Sequence, residues 1–75
     1  MGISLKNLAP GVSARVQELL MRGPMRQRLY DLGLVPGTLV ERVMTSPIGD
    51  PICYRVRGTL IALRCSDAEH VRVIT

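Results

Sequence analysis

The sequence predicts a mainly β fold, a small barrel of about five strands with one short α-helix. Three observations lead there. Apolar and polar residues alternate with a period of two through most of the second half of the chain. Proline-glycine and glycine turns recur at short intervals. A helical apolar stripe occurs over residues 24–32 and nowhere else as clearly. The shared core must be aliphatic, because the chain has no Trp, no Phe and only two Tyr, Tyr30 and Tyr54.

Two proline-glycine turns, Pro10-Gly11 and Pro36-Gly37, punctuate the first half. Proline presets the second residue of such a turn, and glycine supplies the positive φ of the third. Each turn follows a leucine by two residues, Leu8 and Leu34, and each leads into a β-like run, 12–19 and 38–44. In the helix, Met25, Leu29 and Leu32 fall at i, i+4 and i+7, while Arg26, Gln27, Arg28 and Asp31 cover the rest. Pro24 suits the first helical position, and Gly33 suits the residue after the C-cap. Leu34 then stands where a Schellman motif packs an apolar residue back onto Leu29. At about two turns, this helix must be held by packing.

In the run 38–44, Val40 and Val43 lie in opposite phases, which predicts a bulge near Glu41 and Arg42. Ile52, Tyr54 and Val56 alternate with Cys53, Arg55 and Arg57. Gly58 makes a tight turn, after which Ile61 and Leu63 alternate with Ala62 and Arg64. Ser66-Asp67-Ala68-Glu69 reads as an S-x-x-E capping box opening one helical turn. Val71 and Val73 then alternate with Arg72 and Ile74. Short strands leave edges to hide, and a small curled barrel hides them. The expected architecture is therefore a small SH3-like β-barrel with the helix packed over one end or side. Its predicted core is Ile52, Tyr54, Val56, Ile61, Leu63, Val71 and Val73, together with Leu29.

Seventy-five residues make one domain, 1–75. A chain of this size buries about 60–65% of its unfolded surface, too little for a deep cleft between subdomains. Hydrophobic residues at 47% and charged residues at 21% give a globular balance. No apolar run is long enough to span a bilayer, and no basic segment followed by a long apolar stretch opens the chain, so a soluble cytoplasmic protein is expected. The net charge of +4 permits an acidic partner or nucleic acid and demands neither. The shortage of aromatic rings weighs against sequence-specific RNA binding, which stacks bases on them.

No nucleophilic triad can be assembled, since His70 is the one histidine and no cleft or orienting partner accompanies it. Cys53 shares a phase with Arg55 and Arg57 and should face outward. Cys65 shares a phase with Ile61 and Leu63 and should face inward, so both thiols are expected free. Cys65, Asp67 and His70 come nearest to a metal cluster, but a structural zinc site wants four ligands at short spacings. No metal ligand set and no cofactor is assigned. Neither a phosphate-binding nor a dinucleotide-binding glycine motif is present. Arg55, Arg57 and Arg64 form a basic strip on one strand pair, suited to solvent, an acidic protein surface or nucleic acid.

Two segments are the most informative. Residues 29–38 read Leu-Tyr-Asp-Leu-Gly-Leu-Val-Pro-Gly-Thr, and residues 46–52 read Ser-Pro-Ile-Gly-Asp-Pro-Ile. Two prolines around Gly49-Asp50 make the second a stiff loop. Together with the helix Arg26-Gln27-Arg28-Leu29 and the later run Leu60-Ile61-Ala62-Leu63-Arg64, these segments resemble the FeoA family of bacterial ferrous iron transport, in the family's order and spacing from Leu5 to Val73. One residue departs from the family pattern: Arg42 stands where an aliphatic side chain is usual. The resemblance implies an SH3-like barrel, similar also to the C-terminal domain of iron-dependent repressors of the diphtheria-toxin-repressor type. It implies as partner the FeoB membrane permease, met on its cytoplasmic side, with the chain peripheral to the membrane only through that partner.

Two function classes follow. One is a non-enzymatic accessory module that binds and regulates the ferrous iron permease; the other is a small basic barrel that binds nucleic acid. Few aromatics and modest charge favour the first, so no nucleic acid partner is expected. A third reading is a metal-sensing adaptor with weak transition metal binding through Cys65 and His70. A small barrel with exposed edges can also pair with itself. The expected partner surface joins Leu32 and Leu34 at the helix end to Pro47, Gly49, Asp50 and Pro51 in the loop, with Arg55 and Arg57 beside them. The strand phase itself is testable: Leu63→Ala should cost about 2–4 kcal/mol in a denaturant melt, as truncation of a buried leucine does.

Overall fold

The computed structural model describes residues 2–45 and 47–75. Ser46, which opens the second informative segment, lies outside the described residues. Six strands are found, β1 (Gly2–Ser4), β2 (Ser13–Leu19), β3 (Leu39–Thr45), β4 (Ile52–Val56), β5 (Thr59–Leu63) and β6 (Val71–Ile74), with helices α1 (Pro24–Asp31) and α2 (Cys65–Ala68). They form one antiparallel sheet in the order β1-β6-β2-β3-β4-β5. This is the predicted mainly β, SH3-like barrel with one strand more than expected and no ladder closing β5 onto β1. The extra strand, Gly2-Ile3-Ser4, is too short to show alternation; it pairs Gly2 with Ile74 and Ser4 with Arg72.

The sheet curls because two residues are inserted into its ladders. Register shifts between Val16 and Glu18 in β2 and between Arg42 and Met44 in β3 leave Gln17 and Val43 as the bulged residues. The bulge in β3 therefore comes one residue or more later than the sequence phase suggested. It lets Val40 point inward while Met44 points to solvent. Arg42 falls opposite Tyr54. Its charge is carried to the barrel rim, where Nη1 donates to the carbonyls of Leu8 (2.7 Å) and Lys6 (3.3 Å).

All eight predicted core residues are buried, joined by Leu5, Leu8, Ala14, Val16, Leu19, Leu34, Val40 and Ala68. The open side of the barrel is plugged by a 3-10 turn, Leu5–Asn7, which sends Leu5 and Leu8 into the core. The Tyr54 hydroxyl reaches across from β4 and donates to the Leu5 carbonyl at 3.1 Å. Ser4 Oγ donates to the carbonyls of Ala68 (3.3 Å) and Glu69 (3.0 Å), tying the same turn to α2.

Burial raises the Tyr54 pKa from 10.0 to about 12, against the opposing pull of the Arg42 charge. A folded-state pKa above the unfolded one gives stability that is full below the unfolded value and lost as pH rises through the folded value. Tyr54→Phe should cost about 1 kcal/mol at neutral pH by removing the hydroxyl's bond, the Leu5 carbonyl keeping only the Leu8 N–H at 3.1 Å. The wild-type advantage should shrink as pH rises from 10.0 through about 12, measured as the difference between paired denaturant melts.

Candidate docking groove

The end of α1 is a Schellman turn: Gly33 N donates to Tyr30 O (2.9 Å) and Leu34 N to Leu29 O (3.0 Å). Gly33 has φ +101°, and a Cβ there would stand 3.2 Å from Val56 Cγ1, so glycine serves both the left-handed turn and the close approach to β4. The turn separates two leucines expected on one partner surface. Leu34 is fully buried and packs in the core, as its predicted fold-back onto Leu29 requires, and so it is withheld from any partner. Leu32 stays 40% exposed.

The loop after β3 is fastened to α2. Asp50 Oδ1 accepts the backbone N–H of Cys65 at 3.0 Å, and the Gly49 carbonyl accepts the Cys65 thiol at 3.3 Å. Asp50 thus caps α2 from outside. The Ser66 capping box does not form, because β5 ends at Leu63 and the helix begins at Cys65, which puts Ser66 inside it. Cys65 still packs against the core, from the start of α2 rather than from a strand, and Cys53 lies opposite Ala62; both thiols are free.

These elements enclose a groove of about 580 Å³. One wall is α1, through Met25, Arg28, Leu29 and Leu32. The loop supplies Ile48, Asp50 and Pro51, and the far wall is residues 62–64 with Asp67 of α2. The helix end and the loop, expected to act together, do meet here through Leu32, Asp50 and Pro51. Pro47 and Gly49 belong to the same loop and are exposed without lining the groove. Ile48, 87% exposed at the loop, was not singled out by sequence, although an isoleucine between Pro47 and Gly49 in a polar turn was the available signal.

Arg55 and Arg57 line a second hollow of about 300 Å³ shared with Ser13, Thr38 and Leu39, with the Arg57 stem also lying beside Gly33 at the end of α1. Arg55 forms a salt bridge with Glu41 at 3.0 Å. Arg64 follows β5 at the end of the hairpin remote from Arg57, so the three arginines do not make the continuous strip on which a nucleic acid reading rested. His70 is exposed, and among the described residues no three His, Cys, Asp or Glu side chains converge as a metal group. No helix among them is long and apolar enough to cross a membrane.

A sequence profile described as the FeoA domain matches residues 3–75. An Fe(2+) transport protein A/Fe(2+) transporter FeoB fusion protein of Porphyromonas gingivalis is 32% identical over 69 residues, which span 92% of this chain and only 8% of that protein. The solution structure of iron(II) transport protein A from Clostridium thermocellum superposes with a TM-score of 0.91 at 37% identity, covering 95% of this chain and 44% of that one. FeoA of Stenotrophomonas maltophilia, crystallised with zinc and described as an SH3 domain protein, gives 0.83 at 33% identity, covering 99% and 89%. IdeR of T. acidophilum shares the fold at a TM-score of 0.83 and 20% identity, covering 96% of this chain and 33% of that one.

The capping geometry separates two serine and aspartate substitutions that sequence alone would rank the other way. Asp50→Ala should lower stability by about 1 kcal/mol through loss of the cap, and Asp50→Asn should recover part of it. Ser66→Ala should change stability by less than about 0.5 kcal/mol. Chemical denaturation of the three variants measures both.

Proposed function

The chain belongs to the FeoA domain family, and from that premise we propose that it is an accessory protein of ferrous iron transport that acts by docking on a FeoB-type permease. The observation that carries this reading is the Porphyromonas gingivalis relative, in which an Fe(2+) transport protein A and an FeoB transporter form one polypeptide. Covalent linkage holds two modules at high effective concentration, an arrangement that serves modules which work in contact. In this chain the docking surface is the groove between α1 and the loop, with Leu32 and Ile48 at its mouth. The action is by contact on the permease's cytoplasmic side and requires no reaction centre in this chain. Ferrous iron is the permease's cargo, and no ligand set of this chain is needed to carry it.

Leu32 and Ile48 are both exposed, so charge there leaves the core intact. The double variant Leu32→Asp with Ile48→Asp should melt within about 0.5 kcal/mol of wild type. It should bind detergent-solubilised permease about tenfold more weakly or worse, as loss of a central apolar anchor does. Wild-type affinity in a normally folded double variant would remove the groove from the interface.

A further inference from the structure

We propose that the free edge of β5 is the receiving element of the groove, and that it takes an extended acidic and apolar segment of the permease as an added strand. This rests on the docking reading above and names its mode. Successive residues of a strand point to opposite faces, yet Ala62 and Leu63 both line the groove. What they share is the C-terminal end of the strand's edge, so the groove opens onto that end of the edge, with α1 as its opposite wall, and the rest of the edge, from Thr59 to Leu60, continues from it as exposed surface. The Arg57-Gly58 turn has positive φ at both residues, +53° and +77°, and pairs Val56 with Thr59. In such a two-residue hairpin the flanking pair exchanges hydrogen bonds. The backbone groups of Thr59, Ile61 and Leu63 therefore face β4, and those of Leu60 and Ala62 point away from it. No strand lies beyond β5, and among the described residues no hydrogen bond outside the β4 ladder reaches residues 59–63.

Edge strands are usually guarded by charge, proline, a bulge or shortness. The other edge, β1, is three residues long; β5 has five, Thr-Leu-Ile-Ala-Leu, with none of these guards. Strand addition supplies affinity through such main-chain groups, with pockets beside the edge selecting side chains. Here Met25, Leu32 and Ile48 offer the apolar contacts. Arg28 and Arg64 flank them, and neither is in an ion pair, the salt bridge among the described residues being Arg55–Glu41. Asp50 and Asp67 sit at the amide end of α2, where Asp50 accepts from Cys65. The guanidinium groups are left to pair with carboxylates on the incoming segment. A second copy fits less well, because its edge would bring Arg28 and Arg64 against their own like charges rather than against carboxylates.

Hydrogen exchange resolved within residues 59–63 of the full chain tests the proposal, alone and saturated with purified FeoB-type permease in detergent. The amides of Leu60 and Ala62 should exchange freely alone and slow about tenfold or more in the complex. Ala62→Pro removes an N–H that no ladder uses and should weaken binding about tenfold with the fold retained. Arg28→Glu with Arg64→Glu should weaken it similarly. A complex that forms with Leu60 and Ala62 still exchanging freely overturns strand addition and leaves the docking reading standing. Absence of any complex with the wild-type chain overturns both. Slowing that appears in the chain alone as its concentration rises assigns the edge to a second copy and overturns the permease as its occupant.

Discussion

The hydrogen bond from Tyr54 to the Leu5 carbonyl joins the two ends of a sheet that does not close on itself. With β1 and β5 unpaired to each other, the core would be open along one side. The 3-10 turn Leu5–Asn7 fills that side, and three polar contacts hold it there: the Tyr54 hydroxyl on Leu5, Arg42 on Lys6 and Leu8, and Ser4 on α2. The first two donate to carbonyls of residues 5, 6 and 8 in and after the turn, and the third to carbonyls at the end of α2. A barrel this small therefore closes by side chains where a larger one closes by a ladder. Arg42 belongs to this scheme: an aliphatic residue at its place would fill space, whereas the arginine also ties down the plug.

Much of the second half was legible in the sequence because its strands are half-buried, and period-two alternation reports directly which side faces in. Ile52, Tyr54 and Val56, then Ile61 and Leu63, then Val71 and Val73 were placed correctly for that reason. Local turn chemistry was equally readable, as Gly33 and Leu34 show in completing a Schellman turn. Alternation announces an inserted residue as a break in phase, as between Val40 and Val43, but does not give its place. The bulge at Val43 re-phases β3 only through its pairing with β4, and the three residues of β1 carry no period at all.

The groove was half legible. Leu32, Asp50 and Pro51 were singled out from two separate segments that the fold brings together. Leu34 was expected both to fold back onto Leu29 and to join the partner surface; the turn's hydrogen bonds complete the first and leave nothing of it for the second. Asp50 was read as an acceptor for a partner, but its carboxylate accepts the Cys65 amide, a long-range cap that no local motif announces. This gives the loop a double tie to structure: the residue that sets the start of α2 also fixes the wall of the groove, so the shape of one cannot change without the other. Arg55 and Arg57 were read from strand phase as a basic strip beside this surface; they border a separate hollow, and Arg57 alone reaches back to Gly33 at the end of α1.

The pairing of Gly2 with Ile74 puts residues near the two termini side by side on adjacent strands. A polypeptide continuing from either one would depart from the same rim of the barrel. Such a unit can be suspended from a longer chain by one tether, or spliced into a loop of a host protein, without stretching its sheet. Its topology makes it portable, and a fusion gene needs only a linker to exploit that.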